Sequence, residues 1–192
     1  MLQINSGNVI GDNLWLWRAD HVEGGGLVSG GDNPCDNALV VNGESVTMYG
    51  LAAEHTLKDI VLWNGEKGEV YFFQSELPYD VTQDFADQGY SGYRVSDNVT
   101  EHKAYGVGVY HYFRDFEVTL PSGIVAPQAL EDSFVAPFGV FLNGLGQMTH
   151  VLNDKGEVTK KGYNDDAQVE WVCPSEVEMP QIFRAKTSCN VG

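Results

Sequence analysis

The fold is decided by two stretches of the sequence, Val41–Thr56 (VNGESVTMYGLAAEHT) and Trp63–Glu76 (WNGEKGEVYFFQSE). Each contains an Asn-Gly turn followed by a run of β-branched, aromatic and small residues, which is typical of a strand that follows a tight turn. An acid lies at or near the end of each run, Glu54 in the first and Glu76 in the second. Because these glutamates are 22 residues apart, the pattern predicts a structural repeat of about that length.

Two further stretches, Asn8–His21 (NVIGDNLWLWRADH) and Val95–Phe113 (VSDNVTEHKAYGVGVYHYF), show the same order of polar turn and strand. A strand-rich repeat of this kind is typical of a β-solenoid, in which each coil stacks on the one before it. A β-sandwich or barrel is the alternative, because it also has short strands at similar intervals. The recurrence of acids at matched positions favours the solenoid. Helical periodicity is lacking, and only Gln128–Asp132 predicts a short helical turn.

The Gly-rich stretch Glu23–Pro34 interrupts the repeat. It lacks the lysine and the strand-loop-helix context of a phosphate-binding loop. We therefore expect a connection thrown out between two coils.

Composition bounds the partners. With 11 basic and 27 acidic residues, the chain carries a formal charge of −16, which repels nucleic acid and anionic membranes. No run is long and apolar enough to cross a membrane, and the first residues do not resemble a signal peptide. A neutral polysaccharide is therefore the expected ligand class.

The three cysteines, Cys35, Cys173 and Cys189, are too few for a disulfide scaffold. A bridge between Cys173 and Cys189 and a set of reduced thiols are both compatible with the spacing, so the pairing stays open.

The strand-end acids are the candidate chemistry. In the aligned repeats Asp20, Glu54 and Glu76 take similar positions, and stacked strands lie roughly 4.8 Å apart. Two carboxyl groups on one face would repel each other, which raises the pKa of one of them and suits the cleavage of a glycosidic bond. Nearby aromatic residues, such as Trp63 and Tyr79, offer flat surfaces to sugar rings. The alternative interpretation is that the acids are solvated turn residues.

Other site chemistries find little support. Glu54-His55 and Glu101-His102 suggest a metal, but the histidine spacing matches no zinc pattern. The sequence contains no nucleophile elbow, and no cysteine lies in a recognisable nucleophile motif. We therefore expect neither a metal nor an organic cofactor.

Five segments resemble the C-terminal β-helix of glycoside hydrolase family 55, and they cover about Asn5 to Asp154 in the family's order. They read NVIGDNLWLWRADH, YGLAAEHT, VLWNGEKGEVYFFQSELPYD, GYRVSDNVTEHKAYGVGVY and MTHVLND. The resemblance implies a right-handed parallel β-helix of the pectin lyase type. It also implies cleavage of β-1,3-glucan, mostly from the chain end and with inversion, by an extracellular protein.

The resemblance also implies site residues. Glu76 matches the family's general acid, Glu54 matches a second glutamate near the attacking water, and Tyr79 lies beside the substrate. We further expect four residues to bind substrate. These are Gln74, Trp63, His55 and Asp20.

The chain departs from the family pattern in one large feature. Family members resemble two β-helix domains with the cleft between them, and nothing in this sequence corresponds to the first domain. We expect residues 1–154 to form the β-helix domain and residues 155–192 a C-terminal tail or cap. The alternative functions are a non-catalytic carbohydrate-binding or structural β-helix and, less favoured, a polysaccharide lyase.

Overall fold

The structure is a computed structural model that describes residues 1–162 and 168–172, and within them it consists mostly of strands. In chain order the elements are β1 (Leu2–Ile4), β2 (Ile10–Asp12), β3 (Trp15–Trp17), β4 (Leu39–Val41), β5 (Thr47–Glu54), β6 (Val61–Trp63), β7 (Gly68–Glu76), α1 (Gln83–Asp87), β8 (Tyr93–Val95), β9 (His102–Phe113), β10 (Thr119–Val125), a 3₁₀ turn (Gln128–Ser133), β11 (Phe134–Val135), β12 (Phe138–Gly144), β13 (Gln147–Leu152) and β14 (Gln168–Trp171).

The strands are divided between two sheets. The first sheet has the order β1-β4-β6-β8-β10-β13, and the second has the order β14-β12-β9-β7-β5-β2, with β3 beside β5 and β11 beside β9. Neighbouring strands are parallel throughout both sheets except for β12 and β14, which are antiparallel. From β4 to β9 the chain alternates between the sheets, so each circuit adds one strand to each.

The register confirms the predicted repeat length. Leu39 pairs with Val61 in the first sheet and Thr47 pairs with Glu69 in the second, an offset of 22 residues in both. The next circuit pairs Glu69 with Lys103, an offset of 34 residues, because it also contains α1. Insertions therefore lengthen the connections between strands without shifting the strands out of register.

The core lies between the two sheets. The buried side chains of β7 alternate with half-exposed ones, as expected for a strand with one face covered. The largest fully buried side chains include Trp63 and Tyr93 from the first sheet and Phe73 from the second. Burying an apolar side chain of this size stabilises the fold by roughly 1.5–3 kcal/mol.

Asparagine side chains link the turns of successive coils. The amide of Asn42 donates to Asn5 at 2.8 Å, and the amide of Asn64 donates to Asn42 at 2.8 Å. The repeated Asn-Gly turns thus align the coils as well as reversing the chain.

The second sheet bends at the same level in three successive strands. Gly50, Phe72 and Gly106 have φ values of 59°, 65° and 63°, and they lie between paired positions of β5, β7 and β9. A bulky residue seldom takes this left-handed conformation, and Phe72 takes it with its ring 61% exposed. Beyond the bend, Gln74 and Glu76 both point outward.

The helix α1 was not predicted from the sequence. It follows Thr82 and ends before Gly89, which has a φ of 77°, and it buries Phe85 and Ala86. Its five residues are too short to show a helical period. No helix in the described part of the chain is long and apolar enough to cross a membrane.

Three sequence predictions lie at the edges of the sheets. The 3₁₀ turn confirms the predicted helical turn, and the Gly-rich stretch is a loop between β3 and β4. In the predicted tail, Thr159 exchanges two backbone hydrogen bonds with Met148, and β14 extends the second sheet. The domain boundary at Asp154 stays a prediction. Cys35 is a free cysteine, whereas Cys173 and Cys189 lie outside the described residues.

The structure buries two histidines that predict acid sensitivity. His102 accepts or donates a hydrogen bond at 2.8 Å with Tyr93, His111 does so at 2.9 Å with Thr159, and burial lowers the pKa of each histidine to about 4. In the unfolded chain a histidine titrates near about 6.5. Between these pH values the unfolded chain binds protons that the folded chain excludes, so the free energy of unfolding falls as the pH falls.

We expect His102→Gln to remove up to about 3 kcal/mol of this pH dependence between pH 6.5 and 4. Urea unfolding of both proteins across this range measures the difference. Above pH 7.5 the histidine is neutral in both states, so the two proteins should there have parallel pH profiles. Equal slopes for the two proteins below pH 6 would contradict the burial effect.

Candidate active site

Two glutamates form the centre of the candidate site. Glu54 ends β5, Glu76 ends β7, and the register pairs them directly. Both are half-exposed on the outer face of the second sheet, next to a strand spacing of roughly 4.8 Å. The predicted side-by-side arrangement of these two carboxylates is therefore present.

Two predicted neighbours of Glu76 contact its carboxylate. The amide of Gln74 donates to Oε1 at 3.3 Å, and the hydroxyl of Tyr79 donates to Oε2. Gln74 is on the same face of β7 because it lies two residues before Glu76. Tyr79 reaches the same carboxylate from the turn after β7. The structure thus brings Gln74, Glu76 and Tyr79 together.

Burial and charge act together on Glu54. Burial raises the pKa of Glu54, interactions with Trp15 and Gln74 oppose this rise, and the charge of Glu76 adds to it. The larger effects outweigh the smaller, so Glu54 holds its proton above the usual pH range of a glutamate. Close carboxyls of this kind titrate as a coupled pair.

Tyr79 is a hydrogen-bond donor at every working pH. Burial raises its pKa well above the ordinary value, and the hydrogen bond to Glu76 raises it further. The phenol therefore keeps its proton and orients the Glu76 carboxylate without taking part in proton transfer.

Asp20 lies near the site but not at the predicted place in the repeat. The register pairs Trp17, not Asp20, with Glu54, so the sequence alignment was wrong by three residues. Asp20 accepts a hydrogen bond at 2.8 Å from His21. Burial raises the pKa of Asp20, but His21 and the charge of His55 lower it more, so Asp20 is ionised beside the glutamates.

The prediction that His55 contacts substrate is wrong in the structure, because the residue is only 2% exposed. Its ring packs edge-on against Tyr79 with centroids 4.3 Å apart, and its Nε2 is 4.0 Å from the Glu54 carboxylate. Burial lowers the pKa of His55, which outweighs the opposite effect of Asp20 and Glu76. His55 is thus a neutral support behind the site.

The prediction that Trp63 binds substrate is also wrong. Trp63 is fully buried in the first sheet, where its ring lies 4.9 Å from His102. It points into the core because the residues of β6 alternate and Val61 and Trp63 share the inward face.

The exposed aromatic surface comes instead from Trp15 and Trp17, which were not predicted as site residues. They are 66% and 36% exposed, and their rings stack with centroids 5.8 Å apart. Trp17 pairs with Glu54, so the two rings continue the outer face that carries the glutamates. The signal was present in the sequence, because two tryptophans separated by one residue in a strand share a face.

A buried ion pair, also not predicted, lies behind the strand ends. Arg18 directly follows Trp17, and its guanidinium binds both carboxylate oxygens of Asp80, at 3.0 and 2.9 Å. Asp80 directly follows Tyr79. The pair is therefore next in sequence to two residues of the outer face.

The arrangement suits chemistry that needs two carboxyl groups and a flat apolar surface. One carboxyl is oriented by a phenol, the other has a raised pKa, and both face solvent next to exposed tryptophan rings. Among residues 1–162 and 168–172, no three acidic, histidine or cysteine side chains converge in a way that could hold a metal. Acid-base cleavage of a glycosidic bond requires two such carboxyls and sugar rings to bind.

Comparisons with known proteins agree with this site. Residues 1–76, which include both glutamates, match the family model of the LAM55 pectate lyase-like domain. An exo-β-1,3-glucanase from Streptomyces sp. (strain SirexAA-E / ActE) is 38% identical over 172 residues, a match that covers 86% of this chain and 28% of the glucanase.

Solved structures show the same fold. The chain matches sacteLam55A from Streptomyces sp. SirexAA-E with a TM-score of 0.80 and 36% identity, over 89% of this chain and 31% of that one. It matches a variant of sacteLam55A in complex with glucose with a TM-score of 0.78 and 35% identity, over 88% and 31% of the two chains. The chain thus has the pectate-lyase-like fold of these proteins and spans about three tenths of their length. It belongs to glycoside hydrolase family 55.

Proposed function

We propose that the chain supplies the catalytic face of an inverting, exo-acting β-1,3-glucan hydrolase, with Glu76 as the proton donor. The observation that carries the proposal is the in-register pair of Glu54 and Glu76, with Tyr79 donating to Glu76. The 38% identity to an exo-β-1,3-glucanase supports the substrate class. Family membership also supports the proposal that the protein acts outside the cell.

The fold proposed for this face is a right-handed parallel β-helix. Two parallel sheets whose strands alternate along the chain, with a repeated offset of 22 residues, support a solenoid. Right-handed crossovers between parallel strands are the strong general rule, and they support the proposed hand.

In the proposed reaction the outer face of the second sheet holds the sugar chain. Glu76, oriented by Tyr79 and Gln74, donates a proton to the leaving glycosidic oxygen, while Glu54 lies near the attacking water. Inversion needs carboxyl groups about 6.5–9.5 Å apart, more than the strand spacing of about 4.8 Å. Tyr79 holds Glu76 at the end of its own strand and Trp15 attracts Glu54 toward β3, so the two carboxyls are drawn apart.

A further β-helix domain is proposed to complete the cleft. The chain spans 28% of the glucanase and 31% of each solved relative, which leaves room in those proteins for an opposite wall. The open face around Glu54 and Glu76 fits one wall of such a cleft.

A non-catalytic carbohydrate-binding role is the second candidate. The stacked and exposed rings of Trp15 and Trp17 favour it, because they offer a sugar surface that does not depend on the carboxyls. The lyase alternative gains no such support. Among the described residues, the guanidinium of Arg18 is close to the site, but it is bound to Asp80 and to backbone carbonyls.

We expect the chain to release glucose from laminarin and Glu76→Gln to lower this rate by at least about 10²-fold, because the leaving oxygen loses its acid. Glucose release is measured by a coupled assay. Glu69→Gln is the matched control, because Glu69 lies on the outer face of the same strand and should leave the rate unchanged. Binding of laminarin without glucose release in any protein would favour the second candidate.

A substrate with an activated leaving group separates the two glutamates. A dinitrophenyl β-glucoside needs no protonation of its leaving oxygen, so Glu76→Gln should lose much less rate on it than on laminarin. Glu54→Gln should lose similar factors on both substrates, because attack by water is needed in each case. The reverse pattern would move the acid role to Glu54.

The exposed rings give a separate prediction. Trp17→Ala should weaken laminarin binding by about 10-fold, since an exposed aromatic contact of this kind contributes on the order of 1 kcal/mol. Trp63→Phe should lower the midpoint of thermal unfolding and leave binding unchanged, because its ring is in the core. Isothermal titration with laminarin oligosaccharides measures both. Weaker binding by Trp63→Phe alone would contradict the assignment.

The coupling of the carboxyls is directly measurable. Removal of the Glu76 charge in Glu76→Gln should lower the pKa of Glu54, but not to the usual glutamate value, because burial is the larger cause of its rise. Carbon-13 NMR of the labelled glutamate carboxyls follows this titration. Glu69→Gln again serves as the control. An unchanged Glu54 titration in Glu76→Gln would show that the two charges do not interact.

A further inference from the structure

The buried ion pair between Arg18 and Asp80 is unusually complete. Arg18 and Asp80 are 3% and 4% exposed. All five N–H groups of the guanidinium have an acceptor. Nε donates to the carbonyls of Asp32 and Asn33, Nη1 to the His55 carbonyl and Asp80 Oδ1, and Nη2 to the Asp32 carbonyl and Asp80 Oδ2.

The carboxylate side is equally well satisfied. Asp80 Oδ2 also accepts a hydrogen bond at 3.0 Å from the backbone N–H of Gly31. Burial raises the pKa of Asp80, but the hydrogen bonds from Arg18 and Gly31 lower it more, so Asp80 is held ionised. A buried pair persists only where geometry and additional hydrogen bonds repay desolvation, and here both are present.

The pair joins the chain segments that follow the three outer strands of the site. Arg18 follows β3, the His55 carbonyl belongs to the turn after β5, and Asp80 belongs to the turn after β7. It also holds the Gly-rich loop through Gly31 and Asp32.

Each attachment point is one residue from a group of the site. His55 follows Glu54 and has a φ of 65°, so the chain turns away directly after that carboxyl. Asp80 follows Tyr79, whose carbonyl accepts the backbone N–H of Arg114 at 3.0 Å. A displacement of either turn would therefore change the distance between the Tyr79 hydroxyl and the Glu76 carboxylate, or the separation of the two glutamates.

We propose that Arg18 and Asp80 are positioning residues for the glutamate pair, which keep Tyr79 in hydrogen-bonding contact with Glu76. The role in catalysis rests on the proposed function, whereas the effect on the geometry of the carboxyls does not. Neither side chain contacts the outer face. The pair acts through the backbone of the turns that it joins.

A second ion pair provides a matched control. Asp59 and Arg94 lie beside the first sheet, with Arg94 Nε 2.9 Å from Asp59 Oδ1, and Asp59 is 8% exposed. Asp59 also accepts hydrogen bonds from the backbone N–H and the hydroxyl of Ser91. Its loss should destabilise the fold without disturbing the second sheet, so it separates structural from positioning effects.

The test follows the titration of the labelled Glu54 and Glu76 carboxyls by carbon-13 NMR, with the resonances assigned from Glu54→Gln and Glu76→Gln. Asp20, His55, Tyr79 and Tyr110 are the other titratable groups that face the pair. The tyrosine hydroxyl donates to the ionised form of the pair, which favours that form. Tyr79→Phe therefore sets the size of the titration shift that follows loss of this donor.

We expect Asp80→Asn to reproduce the titration shift of Tyr79→Phe, and the double variant to show no further shift, because both changes remove one interaction. Arg18→Lys, which keeps the charge but loses the planar fork, should give a smaller shift in the same direction. Asp59→Asn should lower the midpoint of thermal unfolding and leave the titration as in the wild type. Arg18→Lys also serves as the readout if Asp80→Asn does not fold.

Two results would overturn the proposal. One is a wild-type titration of the glutamates in folded Asp80→Asn or Arg18→Lys, and the other is an additive shift in the double variant. Glucose release from laminarin is measured in parallel, with a fall in kcat and a nearly unchanged KM expected for Asp80→Asn. Titration shifts in proteins without glucanase activity would retain the positioning geometry and reject the proposed function alone.

Discussion

The parallel register of β5, β7 and β9 is the constraint on which the rest of the structure depends. Once Thr47 is paired with Glu69 and Glu69 with Lys103, every outward side chain of one strand has a neighbour on the next. The register determines which residues are core and which are surface, because side chains alternate along a strand. It also places Glu54 beside Glu76, two residues that no local structure would bring together.

That constraint also explains the electrostatics of the site. Carboxyls on adjacent parallel strands are too close to ionise independently, so their protonation is coupled to the spacing between the strands. The turns after the strands are where this spacing can be adjusted, and the buried pair of Arg18 and Asp80 holds those turns. Tyr79 and His55 fill the space between the pair and the carboxyls. Stability and chemistry at this end of the sheet therefore depend on the same contacts.

Sequence reasoning succeeded where the determining interaction is periodic. The repeat length, the solenoid-like alternation of strands and the pairing of Glu54 with Glu76 all follow from the 22-residue offset, which is visible in the spacing of turns and acids. It failed for Asp20, because the short strand β3 follows a break after β2 and the alignment slipped by three residues. It failed for Trp63 because an aromatic residue in a strand can belong to either face, and only the register assigns the face.

By itself the sequence determined the class of strand-rich repeat, the candidate glutamates and the relationship to a glucanase family, since turn residues, β-formers and acids recur at intervals that can be read along the chain. Only the tertiary structure decided that Trp15 and Trp17, rather than Trp63, form the exposed aromatic surface. It also decided that His55 is covered and that Arg18 meets Asp80, 62 residues away. The reason is physical: burial and long-range ion pairs depend on how coils stack, and the stacking of coils is set by contacts between residues that are distant in sequence.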